Sequence, residues 1–337
     1  MSTILLFIQG AEVGQDWKHG YVHTNGIRMH YVEQGSGPLI LLCHGWPESW
    51  FSWRHQIAPL ARAGYRVVAM DQRGYADTDA PQAIDAYNVL NLVADLVGLV
   101  HALGEEHAIL VGHDWGSMVA ASAALLRPDM FRKLALLSVP YLPRQTLRPA
   151  VRFQLLTQEQ HFYQQYFQEP GRIERELEAD VRRALLGILY SASGQARSSE
   201  KHRHSSFVRF DKASRLVDSL VFPDEQPAWL TTEELDYLTA QFKVSGFRGG
   251  INWYRNFDRN WELTPFLEGA RIFQPTVFIA GELDGVLKMA KDEYETLERN
   301  VPNLKGKHLI AGIGHYAQQE APDAVNQLLL SFLSDRG

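Results

Sequence analysis

The sequence predicts an α/β fold: an open, mostly parallel sheet covered by helices on both faces and divided by a helical insert. Short apolar runs alternate with helix-period segments from Tyr21 to about Leu137. The pattern turns helical and more charged from about Pro140 to Thr264, and the alternation resumes at Thr276. Buried strands alternating with helices at this spacing are the signature of a parallel sheet.

Residues 1 to 19 show no clear pattern, and segment 1–20 is assigned as a tail or strap. Asn25-Gly26 between Tyr21–Thr24 and Ile27–Glu33 signals a hairpin, because both residues accept the positive φ of a tight turn. Gly35-Ser36-Gly37-Pro38 turns the chain into Leu39–Cys43, an apolar run suited to a strand buried on both faces. A helix is expected around Trp50–Ala63 and a strand over Tyr65–Met70. Apolar residues at 89, 92, 93, 96, 100 and 103 form one helix face, which Gly104 terminates. His107–Val111 and Lys133–Leu137 read as buried strands flanking a helical Ser117–Leu126.

Within the insert no buried strand is expected, and the charges of Arg172–Arg183 read as a solvated helix face. Gly194–Ser206 reads as a polar loop. Its His202 and His204, spaced i, i+2 with no carboxylate between them, make a poor metal site. Thr231–Glu234 fits a capping box whose helix ends before Gly246. Thr276–Gly281, a helix near Asp292–Asn300, Lys307–Ile310 and a closing amphipathic helix over Asp323–Phe332 complete the chain. The resulting division is a core in two parts, 21–140 and 265–337, around a helical lid at 141–264.

Composition narrows the function classes. The 337 residues carry 33 Lys+Arg against 39 Asp+Glu, a net charge of -6, which argues against nucleic acid or an anionic membrane as partner. A single cysteine, Cys43, allows no internal disulfide and no cysteine metal cluster. The apolar run Ile4–Ile8 is too short for a signal-peptide core, and Ile109–Leu126 is interrupted by Gly112, His113, Asp114 and Gly116. A soluble, cytoplasmic protein is expected, monomeric or homodimeric.

The chemistry concentrates in His107-Ala-Ile-Leu-Val-Gly-His-Asp-Trp-Gly-Ser-Met-Val-Ala120, where a buried strand runs through small-x-x-x-small into a helix. That is a nucleophile-elbow pattern, in which Gly112 and Gly116 permit a turn too tight for larger side chains. Its central residue is Asp114; taken alone, the motif fits either a nucleophile or an Asp capping the next helix. Ser117 is rejected as nucleophile, since Trp115 and Val119 leave no room for the turn. An elbow needs an acid and then a histidine later in the chain. Asp284 and His315 each stand just beyond a strand, where active sites of such sheets gather. The loop His44-Gly-Trp-Pro47 follows another strand; Gly45 and Pro47 allow backbone N–H groups to face the elbow, while His44 suits a structural hydrogen bond.

With these motifs the chain resembles the α/β-hydrolase superfamily and, within it, the soluble epoxide hydrolases. The resemblance rests on His44-Gly-Trp-Pro47, Asp71-Gln-Arg-Gly74, Gly112-His-Asp-Trp-Gly116, Gly281-Glu-Leu-Asp284 and Gly314-His315. Two lid segments sharpen it: Phe162-Tyr-Gln-Gln-Tyr-Phe-Gln-Glu-Pro-Gly171 and Gly246-Phe-Arg-Gly-Gly-Ile-Asn-Trp-Tyr-Arg-Asn256 resemble those carrying the family's two lid tyrosines, here Tyr163 and Tyr254. It runs from about Tyr21 to the C-terminus and is similar to the hydrolase domain of the vertebrate soluble enzymes without their N-terminal phosphatase domain; Ala76 and Thr78 depart from the usual residues of the Asp71 loop.

The resemblance implies epoxide hydrolysis with Asp114 as nucleophile, His315 as general base and Asp284 orienting it. It also implies Tyr163 and Tyr254 as donors to the epoxide oxygen, and the backbone N–H groups of Trp46 and Trp115 as oxyanion hole. Phe167, one helical turn beyond Tyr163, is expected to line the substrate pocket with Trp46 and Trp115. The partners are a small-molecule epoxide and water, with no metal or organic cofactor. A haloalkane dehalogenase shares the Asp-His-acid machinery, but it has no use for paired lid tyrosines and typically carries a side-chain donor where Trp46 stands. A non-catalytic ligand-binding member of the fold is the reading from another class.

Overall fold

The computed structural model describes residues 17–202 and 207–335. Its sheet has eight strands: β1 (Lys18–Thr24), β2 (Ile27–Gln34), β3 (Leu39–Cys43), β4 (Arg66–Met70), β5 (Ala108–His113), β6 (Phe131–Leu137), β9 (Thr276–Gly281) and β10 (Leu304–Ile310). Their spatial order is β1-β2-β4-β3-β5-β6-β9-β10, parallel except where β1 pairs with β2 and β2 with β4. Every residue of β3 and of β9 is buried, as a strand covered on both faces requires. β1 begins at Lys18, so Lys18, His19 and Gly20 belong to the sheet and not to the expected tail; residues 1–16 of that segment lie outside the described residues.

The core helices are α1 (Arg54–Arg62), α2 (Val89–Ala102), α3 (Trp115–Leu126) and α16 (Pro322–Ser334), all packed on the sheet or on one another. The helix expected over Trp50–Ala63 divides, its first turn being a 3-10 segment at Trp50–Trp53. α2 opens where the Asn88 side chain accepts the Leu90 and Asn91 N–H groups, and it stops at Gly104, whose φ is +76°. The helix expected over Asp292–Asn300 is broken at Thr296, leaving α13 (Lys291–Glu295) and α14 (Leu297–Asn300) after α12 (Gly285–Met289).

Between β6 and β9 the chain forms the lid: α4 (Pro149–Leu156), α5 (Tyr163–Tyr166), α6 (Arg172–Glu178), α7 (Val181–Ala192), α8 (Gly194–Ser198), α9 (Thr232–Ser245), α10 (Arg248–Arg255) and α11 (Phe257–Leu263). The capping box of α9 is formed, with Thr231 and Glu234 exchanging side-chain-to-backbone hydrogen bonds. The lid also holds two short antiparallel strands that the sequence did not signal, β7 (Gln160–Phe162) and β8 (Arg209–Asp211); neither is a buried strand, since only Phe162 and Phe210 in them are buried. The polar loop begins as the short helix α8, and His204 lies outside the described residues.

The solvated face expected for Arg172–Arg183 is also corrected. Ile173, Glu174 and Leu177 are buried, and the Glu174 carboxylate pairs with Arg255 at 2.6 and 3.0 Å. No helix among the described residues is long and apolar enough to cross a membrane.

Candidate active site

The strand order places a crevice at the centre of the sheet. The connection from β3 runs to β4 on one side and that from β5 to β6 on the other, so the loops after β3 and β5 face each other across a switch point. Asp114 follows β5 with φ 53° and ψ -117°, a backbone conformation uncommon for a side-chain-bearing residue. The flanking positions have to be glycine: a Cβ on Gly112 would stand 2.3 Å from the Gly116 carbonyl oxygen, and one on Gly116 would stand 2.0 Å from that of Cys43. Asp114 also stands at the N-terminal boundary of α3, but its side chain makes no cap hydrogen bond there. Instead Oδ1 accepts the Trp46 N–H at 2.9 Å, and Oδ2 lies 3.6 Å from His315 Nε2. Of the two readings that the motif left open, the side chain does not act as the cap. Ser117 is structural: its hydroxyl donates to the Gly112 and Leu137 carbonyls and accepts the Leu137 N–H.

His315 and Asp284 meet Asp114 from strands farther along the same edge. His315 Nδ1 is 3.1 and 3.2 Å from the two oxygens of Asp284, whose Oδ1 also accepts the Val286 N–H at 2.7 Å. Burial alone would push the His315 imidazolium to lower pKa, but Asp284 and Asp114 outweigh it and hold the group well above its ordinary value. For Asp284, burial raises the pKa and is outweighed by the charge of His315 and by hydrogen bonds from His315, Ser138 and Val286; the net shift is downward.

Ser138 was not singled out in the sequence. It stands one residue beyond β6 with φ 71°, and its hydroxyl donates to Asp284 Oδ2 and lies 2.7 Å from His315 Nδ1. Its signal was available: like Asp114, it is a polar residue directly after a buried strand.

The loop after β3 is built as expected and braced by groups that were not foreseen. His44 bonds within its own loop, with Nδ1 2.8 Å from the Gly45 carbonyl and Nε2 accepting the Gln72 N–H at 3.0 Å, so its role is structural. Glu48 accepts the Gly45 N–H and lies 2.8 Å from His113 Nδ1, while the Gln318 and Gln319 amides donate to its other oxygen. Burial would raise Glu48, but His113 and the Gly45 amide hold it at about 2. His113 Nε2 in turn lies 2.8 Å from the His315 carbonyl.

The lid brings Tyr163 and Tyr254 together over Asp114, with ring centroids 5.9 Å apart. The unforeseen β7–β8 pair positions the first, whose N–H donates to the Val208 carbonyl. Tyr254 sits on α10, and the neighbouring Trp253 Nε1 donates to the Arg73 carbonyl of the core. Burial first, and then the Asp114 charge, push both phenols far above their ordinary pKa, so both stay protonated.

Phe167 is corrected: it lines neither cavity beside Asp114 but is fully buried behind them, edge-on to Tyr163, Tyr254 and Trp46. Trp46 lines one cavity and Trp115 the other. The cavity on the Trp115 side is about 210 Å³ and mostly apolar, with Met118, Leu142, Phe153, Phe257 and Met289 in its wall. The one beside His315 is about 30 Å³.

Only one His/Asp cluster among the described residues has its ligand atoms close enough for an ion, His30-Asp71-Asp77. There His30 Nδ1 already bonds Asp71 at 2.7 Å, and the other Asp71 oxygen accepts the Trp50 N–H.

The model of the alpha/beta hydrolase fold family matches residues 38–322. Epoxide hydrolase A of Mycobacterium tuberculosis is 43% identical over 318 residues, covering 93% of this chain and 96% of that protein. The chain belongs to the epoxide hydrolases of the α/β-hydrolase family. Bifunctional epoxide hydrolase 2 of Rattus norvegicus is 39% identical over 94% of this chain, but the match spans only 56% of the rat protein. Among solved structures, an epoxide hydrolase from an endophytic Streptomyces superposes with TM-score 0.90 at 47% identity, covering 94% of this chain and 95% of that one.

Proposed function

We propose that the chain hydrolyses epoxides to vicinal diols through an ester on Asp114. The carboxylate attacks an epoxide carbon; the C–O bond breaks, and the ring oxygen takes a proton from Tyr163 or Tyr254, leaving a phenolate. His315 Nε2 then takes a proton from a water that attacks the ester carbonyl. The oxyanion is met by the N–H groups of Trp46 and Trp115, and removing one such donor costs on the order of a hundred- to a thousand-fold in rate. Collapse releases the diol, restores the carboxylate, and returns the proton from His315 to the phenolate. Esterification also removes the Asp114 charge, one of the influences that keep His315 protonated. The pKa of the imidazole is therefore lowered at the step that needs a base.

The observation that carries this reading is a pair of buried, protonated phenols lining both cavities together with an Asp at an elbow. An alkoxide leaving group needs such donors, and a halide does not. The unequal cavities support an epoxide with a bulky apolar substituent on one carbon and a small one on the other. Asp114→Asn is expected to abolish diol formation in a freshly purified sample. Undiminished steady-state turnover by that variant would end the assignment.

A further inference from the structure

The His315 loop is attached to the lid as well as to the core. The His315 N–H donates at 3.0 Å to the carbonyl of Ala192, the last residue of α7, while its own carbonyl is held by His113. Beside it, the partly buried Glu320, the last residue of α15 (Ala317–Glu320), gathers three backbone donors from two parts of the molecule. Oε2 accepts the Gly194 N–H at 2.7 Å and the Gly314 N–H at 3.2 Å, and Oε1 accepts the Tyr316 N–H at 3.1 Å. Gly194 opens α8 of the lid; Gly314 and Tyr316 flank His315. The seam closes at backbone contact, since a Cβ on Gly194 would stand 2.1 Å from the Gly312 oxygen and one on Gly314 would stand 2.3 Å from the Gly194 nitrogen.

We infer that Glu320 is a positioning residue for the general base: its carboxylate anchors the backbone on both sides of His315 to the α7–α8 corner of the lid and so holds His315 Nε2 in line. This rests on the proposed role of His315. The bond to Tyr316 alone would be an ordinary cap of a short helical turn, but the bond to Gly194, 126 residues away, has no local purpose. The chemistry demands a carboxylate. Both oxygens face N–H donors, so a glutamine, whichever way its amide is turned, sets its own NH₂ against Tyr316 or against Gly194 and Gly314. The loop must then move, and displacements of about 1 Å at a reacting group cost about a hundred-fold in rate.

His315 acts only in the second step, which gives the inference a signature that a general loss of packing lacks. Single-turnover mixing of the full chain with styrene oxide, quenched for intact mass, reads ester formation and ester loss separately. For E320Q the expected result is ester formation within about twofold of wild type, ester loss slowed roughly 10- to 100-fold, and ester accumulating at steady state. E320D, which keeps the charge on a shorter arm, should recover part of the second step. Ester loss at the wild-type rate, or both steps slowed by one factor, would overturn the inference; if E320Q does not fold, the same comparison on E320D decides. A His315→Gln control separates the two levels. Ester trapped there with E320Q unchanged overturns the role of Glu320 alone, and no ester there removes the reaction scheme and this inference with it.

Discussion

Glu174→Gln should loosen the part of the lid that presents both tyrosines. Arg255, directly after Tyr254, places its guanidinium between the two lid segments. It donates to both oxygens of Glu174 at 2.6 and 3.0 Å, to the Phe167 carbonyl at 3.0 Å, to the Glu169 carbonyl at 3.1 Å and to Asn252 at 2.9 Å. The two charged side chains are 4% and 8% exposed, so removing the carboxylate leaves a cation with little water to replace it. Breaking a buried pair by removing one partner costs about 3–5 kcal/mol. With about 2.1 cal/mol/K of unfolding entropy per residue, a chain of 337 residues loses roughly 1.4 °C of melting temperature per kcal/mol, so the variant should melt ~4–7 °C lower. Asp236→Asn is the control: its pair with Arg182 is 42% and 56% exposed, and such pairs contribute about 0–1 kcal/mol. Differential scanning fluorimetry reads both, and single-turnover ester formation should slow in Glu174→Gln as Tyr163 and Tyr254 lose their alignment. A melting temperature within about 1 °C of wild type, or equal shifts in the two variants, would refute the assignment of the lid brace to this pair.

Three further outcomes are expected. Tyr254→Phe should slow ester formation more than ester hydrolysis in single-turnover experiments; a defect confined to hydrolysis would contradict its role as donor. Asp284→Asn should lower the rate and also move the acid limb of ester hydrolysis to lower pH. The Asp284 charge raises His315 while burial lowers it, so without the charge imidazole stays neutral further into acid; a limb that stays put would contradict this. Met118→Trp, which fills the larger cavity, should raise KM for epoxides with a bulky apolar arm and spare short ones. Equal effects on both would show that the arm binds elsewhere.

Most of the sheet was legible because its strands are short apolar runs between turn residues, and α2 was legible from one apolar face closed by Gly104. The meeting of Asp114, Asp284 and His315 was legible because each stands in a loop that follows a strand of the sheet. What escaped lacks a local signal. β7 and β8 are three residues each, too short to show alternation, although they place Tyr163. β10 starts at Leu304 and not Lys307, because Lys305 and Gly306 of this edge strand interrupt the apolar pattern. Glu174 looked like any charge on a polar helix, since its partner Arg255 is 81 residues away. Phe167 follows Tyr163 at helical spacing, but spacing does not say whether an aromatic faces a cavity or the packing behind it. Glu48 and Glu320 act on backbone groups, which no side-chain motif records.

Intact mass of a His315→Gln variant, mixed separately with styrene oxide and with a haloalkane, tests the central claim most directly. With the base removed and the nucleophile in place, the ester should persist. The account predicts a gain equal to the whole epoxide, absent when Asp114 is also replaced, and none from the haloalkane. A gain from the haloalkane alone, equal to its alkyl group in place of a proton, would contradict it.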